Sequence, residues 1–249
     1  MRPEAALIQL HEATWYAFDL DDTLHEFRKA SAAAVKAVLK IIHETSGHTL
    51  EELDEEYKRV LSRGTALAFV DGKTSHQYRE DRFQQLVRVF DIKLNEGQMQ
   101  ILVDLYEEVL TKSLELKPGV LELFQTLKRC GKKIAVITEG PQDAQERTVE
   151  ALGLTSHIDY LATTNKLRVA KIDGLFSRVL EHLHLQPDEI IMTGDSWKRD
   201  IVPATQAGIY CIHYSEKGPE YDDSEKQRSI RTFGQLQDII EKAHHNLEA

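Results

Sequence analysis

Between Lys117 and Tyr214, short all-apolar runs alternate with stretches of helical periodicity. A strand buried on both faces reads as a continuous apolar run, and strands alternating with helices build a parallel sheet covered on both sides. Pro118-Gly119 opens a helix carrying Leu121, Phe124 and Leu127, which Gly131 stops. Ile134–Ile137 then reads as a strand, Gln142–Leu152 as a helix closed by Gly153, Ile158–Ala162 as a strand and Leu175–Leu183 as a helix. Ile190–Met192 is the next strand. A short helix reaches Ala207 before Gly208, and Ile209–Tyr214 is the last strand of the series.

The block before residue 24 offers one more strand, the apolar run Trp15-Tyr16-Ala17-Phe18, which ends at Asp19, Asp21 and Asp22. From Glu26 to Leu114 strand-like runs are missing. Helices are expected over Ala30–Ile42, Leu50–Leu61, Ser75–Phe90 and Glu96–Leu114, with Phe83, Leu86, Val87 and Phe90 recurring at helical spacing. An all-helical segment thus interrupts an α/β domain just after its first strand. Residues 1–24 and 115–249 are assigned to the core and 25–114 to the insert. The stretch Pro219–Arg228 reads as a loop, and Gln235–His244 as a final helix.

In open α/β sheets ligands bind beyond the carboxyl ends of the strands. Here four such ends carry polar groups: Asp19 and Asp21, then Thr138-Glu139-Gly140, then Lys171, then Gly194-Asp195-Ser196 with Asp200 shortly after. Crowded carboxylates repel one another, so such a cluster persists where a cation or a reaction uses it. The plainer reading is that Asp19, Asp21 and Thr138 cap helices.

The order of these segments resembles the haloacid dehalogenase-like superfamily, phosphatase branch. FDLDDTL at 18–24, ITEG at 137–140, AKIDGLF at 170–176 and GDSWKRD at 194–200 carry the resemblance. It implies a Rossmann-like, doubly wound parallel sheet with an inserted all-helical cap of the superfamily's first type. It also implies a Mg²⁺-dependent phosphomonoesterase acting on a small phosphorylated metabolite, such as a sugar phosphate, a nucleoside monophosphate or a phosphoglycolate-like acid.

In that reading Asp19 is the nucleophile that forms an aspartyl-phosphate, and Asp21 is the general acid and base. Asp19, the Asp21 carbonyl and Asp195 are the metal ligands, with Asp200 a partner behind them. Thr138, the amides of Glu139 and Gly140, and Lys171 would hold the phosphate. Lys171 is preferred to Lys166 on the match to the third motif. Two positions depart from that motif: Arg168 stands where a glycine is usual and Ile172 where a proline is usual. Glu139 replaces a common asparagine, and an acid there would repel an anionic leaving group or bind a hydroxylated or cationic one. Asp21 argues against a 2-haloacid dehalogenase. A phosphomutase would use the same aspartate pair, and a non-catalytic interaction protein would share only the fold.

Gly72-Lys73-Thr74 lacks the rest of a phosphate loop, and His43, Glu44 and His48 miss the spacing of a zinc helix. His182 and His184 cannot share a helix face. Lys73, His76, Tyr78, Arg79 and Arg82 gather donors near one insert helix, and His25 lies just past the first motif; surface exposure is the ordinary reading of each. A net charge of −10 opposes nucleic-acid binding. No apolar stretch has the length of a membrane span, and neither a secretory leader nor a membrane partner is expected. Cys130 and Cys211 fit buried thiols in a cytoplasmic protein. A monomer or homodimer is expected.

Overall fold

The computed structural model describes residues 3–64, 69–218 and 227–248. Its centre is a six-stranded parallel sheet in the order β3-β2-β1-β4-β5-β6. The strands are β1 (Trp15–Phe18), β2 (Lys133–Thr138), β3 (Tyr160–Thr163), β4 (Ile190–Gly194), β5 (Tyr210–Tyr214) and β6 (Gln227–Ile230). β1 lies between β2 and β4, with Phe18 opposite Val136 on one side and Thr193 on the other. That position explains its wholly apolar sequence, since both faces and both edges are covered.

Side chains alternate across the sheet and sort into two cores. Tyr16, Phe18, Ile134, Val136 and Ile212 join one, which is closed by α1 (Pro3–Glu12), α6 (Val120–Arg129) and α11 (Phe233–Glu248). Trp15, Ala17, Ala135, Ile137 and Met192 join the other, under α9 (Leu175–Leu183) and α10 (Val202–Gln206). Burying a side chain such as Phe18 contributes roughly 1.5–3 kcal/mol relative to leaving it exposed. The doubly wound α/β core is therefore the one the alternating runs imply.

α2 (Phe27–Ser46), α3 (Leu50–Gly64), α4 (Ser75–Val89) and α5 (Glu96–Lys112) pack on one another around Val38, Leu53, Phe83, Leu102 and Tyr106. These helices make the inserted helical cap. The chain enters and leaves it side by side: Lys117 N donates to the Leu24 carbonyl at 2.9 Å, and Glu26 N to the Glu115 carbonyl at 3.0 Å. α7 (Gln142–Ala151) and the short α8 (Thr164–Leu167) follow β2 and β3 on the core.

Two expectations fail. The N-terminal block holds α1 as well as a strand, packed against α11 through Leu10 and Ile240. Of the loop expected over 219–228, residues 219–226 lie outside the described residues, while Gln227 and Arg228 begin β6, which pairs with β5. Ile209–Tyr214 is consequently not the last strand. An edge strand with only four residues and polar neighbours leaves no apolar run to read.

Candidate active site

The strand order reverses between β1 and β4, because β2 and β3 lie to one side of β1 and the later strands to the other. The crevice at such a switch point is where an open α/β sheet binds its ligand. Asp19 leaves the end of β1 there, and Asp195 the end of β4.

Lys171 joins them from the turn before α9. It is buried, and its Nζ lies 2.5 Å from Asp19 Oδ1 and 2.5 Å from Asp200 Oδ1. Burial alone would lower the lysine's pKa, but the two carboxylates outweigh it and hold the ammonium well above its usual range. Asp200 is fixed from its other oxygen by Ser196 N, at 3.0 Å. Its carboxyl passes so near Gly194 that a Cβ there would meet Oδ2 at 2.5 Å. Thr23 ties the two strand ends together: its hydroxyl lies 3.1 Å from Asp19 Oδ2, and Asp195 N donates to it at 3.0 Å.

One carboxylate oxygen each from Asp19, Asp195 and Asp200 lies within 4.8 Å of the others. Burial, opposed in part by Lys171 and reinforced by Asp200 and Asp21, pushes Asp19 up to about 7. Burial and the neighbouring Asp19 and Asp22 charges push Asp195 up to about 6, against the pull of Arg28 and Lys171. Hard oxygen donors whose mutual repulsion is unrelieved by one lysine suit a divalent cation such as Mg²⁺. The carboxylates close enough together to share such an ion are Asp19, Asp195 and Asp200, of which Asp200 is already bonded at both oxygens, by Lys171 and by Ser196 N.

Asp21 is held differently. His25 Nε2 lies 2.9 Å from its Oδ1, and Gln145 Nε2 lies 3.5 Å from its Oδ2. Gln145, on α7, also accepts from the Thr138 hydroxyl at 3.1 Å. The α7 N-cap is Pro141, so Thr138 does not cap that helix. A cavity of about 320 Å³ opens over these groups, floored by Asp19, Asp21, Thr138, Lys171 and Asp195 and roofed by the insert's Ser31, Tyr57, Arg79, Arg82 and Tyr106.

A family model for haloacid dehalogenase-like hydrolases matches residues 16–214, which spans every one of these groups. The chain belongs to that family. Haloacid dehalogenase-like relatives named as phosphatases match over nearly its whole length. A ribulose-1,5-bisphosphate 5-phosphatase of Halopiger xanaduensis is 24% identical, covering 92% of this chain and 99% of that protein. A glyceraldehyde 3-phosphate phosphatase of Methanocaldococcus jannaschii is 24% identical, covering 90% and 94%. The crystal structure of a HAD phosphatase from Thermococcus onnurineus superposes with a TM-score of 0.65 at 22% identity, over 91% of this chain and 97% of that one. The resemblance to the phosphatase branch of the haloacid dehalogenase-like superfamily is thereby borne out.

Glu139 and Gly140, expected beside the phosphate, both have partners within the protein. The Glu139 carboxylate, which lines the cavity, pairs with Arg199 and accepts from Lys171 N at 3.2 Å. The Gly140 amide donates to Thr164 Oγ1 at 3.3 Å and is engaged within the protein. Arg168, in place of the usual haloacid dehalogenase-like glycine, still adopts the left-handed conformation, with φ 58° and ψ 32°. The turn is kept and the strain of a side chain there accepted. Gln145, Thr23 and Arg199 escaped sequence reasoning. A glutamine four residues into a helix, or a threonine inside a motif, signals nothing until the fold shows what it touches.

Proposed function

We propose that the protein is a phosphomonoesterase that hydrolyses a small phosphorylated metabolite by way of an aspartyl-phosphate. The observation that carries this reading is the convergence of Asp19, Lys171 and Asp195 at the β1/β4 crevice, with a separately held carboxylate, Asp21, beside them. Asp19 lies against the Lys171 ammonium, while His25 and Gln145 aim Asp21 from the other side.

In the first step an oxygen of Asp19 forms a bond to phosphorus as the ester P–O bond breaks, and Asp21 gives its proton to the departing alkoxide. In the second, Asp21 takes a proton from water as that water attacks phosphorus, and the bond to Asp19 breaks to release phosphate. Lys171 offsets charge on Asp19 and on the transferring group. Mg²⁺, held by Asp19, Asp195 and the Asp21 carbonyl, would supply further positive charge for the phosphoryl oxygens. The roof of the cavity excludes water and meets the leaving group. The thiols of Cys130 and Cys211, which form no disulfide, accord with a cytoplasmic setting.

The test is phosphate release from a panel of phosphate esters with Mg²⁺ present. Asp19→Asn preserves the shape of the side chain and removes the nucleophile, so turnover falls by about a thousandfold or more. Acid quenching of the wild type during turnover traps a phosphorylated protein. Wild-type rates in Asp19→Asn, with no trapped phosphoprotein, refute the reading.

A further inference from the structure

Charge is distributed unevenly around the cavity. Its floor holds Asp19, Asp21, Asp22 and Asp195, whereas its roof, among the described residues, contributes arginines and no carboxylate. The roof arginines differ in what neutralises them. Arg28 is exposed and lies 3.1 Å from Asp22. Arg79 is buried, donates to Glu107 Oε2 at 2.5 Å and lies 4.8 Å from the Tyr106 ring.

Arg82 has no such partner. It is half-buried, lies 5.9 Å from the centre of the Phe69 ring and sits against the Tyr57 hydroxyl. No carboxylate among the described residues pairs with it. An aromatic ring and a phenol attract a guanidinium but do not neutralise it, and a cation drawn partly out of water favours a counter-charge. The guanidinium fork fits carboxylate and phosphate alike, with two parallel donors. Neutral hydroxyls stand nearby, with Ser31 Oγ and Tyr106 Oη 3.0 Å apart on the same roof.

We infer that the insert carries a second anion subsite, centred on Arg82 and Tyr57, which takes a carboxylate or phosphate on the leaving group. The inference rests on the phosphomonoesterase reading for what occupies the floor. At about 320 Å³ the cavity is at the lower end of ligand pockets, so a short carbon chain joins the two anionic groups. The cap thereby selects substrates by a second charge.

Three esters with a common three-carbon chain test this in the full chain with Mg²⁺: propyl phosphate, 3-phosphooxypropanoate and 1,3-propanediol bisphosphate. After correction for the two equivalent ends of the bisphosphate, kcat/KM for at least one anionic ester exceeds that for propyl phosphate by about tenfold or more. The better of the two names the group the subsite takes. Arg82→Gln brings the ratio to within about threefold of unity and Arg82→Lys retains part of it, because a lysine keeps the charge without the fork. Thermal melting of each variant reports that it folds, and the wild-type ratio stands on its own if one does not.

A wild-type ratio near unity, or a ratio unchanged in folded Arg82→Gln, overturns the subsite. Calorimetric binding of propylphosphonate and 3-phosphonopropanoate separates this outcome from failure of the catalytic reading. If no ester is cleaved but 3-phosphonopropanoate binds more tightly by an Arg82-dependent margin, the subsite stands and the hydrolase reading falls.

Discussion

Lys171 sits between Asp19 and Asp200 with one ammonium for two carboxylates, and Asp195 adds a third nearby. The imbalance has a pH consequence. Asp19 and Asp195 keep protons in the folded protein, up to about 7 and about 6, that the unfolded chain has already released. Their contribution to stability is complete below the ordinary carboxylate range and is lost as pH rises through those values. Metal-free protein therefore loses this share of its stability between about pH 4 and about pH 7, from the ordinary carboxylate range up to the raised values. A divalent ion competes with those protons. Added Mg²⁺ should raise the melting temperature more at about pH 7.5 than at about pH 5.5. Equal gains at both values would show that the carboxylates do not take up the ion. Asp19 and Asp195 were legible in the sequence because each closely follows an apolar run, where a parallel sheet collects its strand ends, and Lys171 because it matches the family's third motif. Gln145 was not, because its contact with Asp21 depends on β1 and β2 lying side by side, which sets the start of α7 near the end of β1. Glu139 was legible as an anomaly, but only the fold could supply Arg199 as its partner.

Among the elements, α4 carries the most function for its length, since Arg79 and Arg82 project from it into the cavity. Thr74 starts it with a capping box: its side chain accepts from Gln77 N while Gln77 Oε1 accepts from Thr74 N at 2.9 Å. Thr74→Ala removes one half of that exchange and should lower stability by about 1 kcal/mol, read from urea unfolding. A loss near zero would mean that packing of Phe83 and Leu86 alone fixes the start of the helix. Helices of this kind announce themselves through apolar residues every three or four positions, and all of those expected in the insert are present. β6 gave no such announcement. Its four residues sit at the sheet edge, where backbone pairing to β5 and the burial of Ile230, rather than an apolar run, define the strand. α1 was obscured for a related reason: it covers the sheet with few large apolar side chains, of which Leu10 is the fully buried one.

At the scale of the molecule, the cap is tied to the core by a chain of charges. Ser75 at the start of α4 donates from N and Oγ to Asp143 on α7, at 2.9 and 2.6 Å. Arg147 on the same helix donates to Ser75 Oγ at 2.7 Å and pairs with Glu107 on α5 at 2.7 Å. Burial would raise the Asp143 pKa, but the bonds from Ser75 and Arg147 prevail and hold it below the ordinary range. Arg147→Ala removes the bridge between α5 and α7. We expect KM to rise about fivefold or more and the cap to become more susceptible to limited proteolysis, as lost charge-assisted bonds of this kind imply. Unchanged KM and an unchanged digestion pattern would show that the closed arrangement does not need it. The sequence revealed that a helical segment interrupts the core, but not that its two ends are bonded to each other at Leu24–Glu26 and Glu115–Lys117. That pairing makes the cap a module with a single doorway. A helical segment of another size or surface could be grafted between the same two neighbours without rerouting any sheet crossover, so the surface above the cavity can be rebuilt while the strand tips beneath it stay where they are.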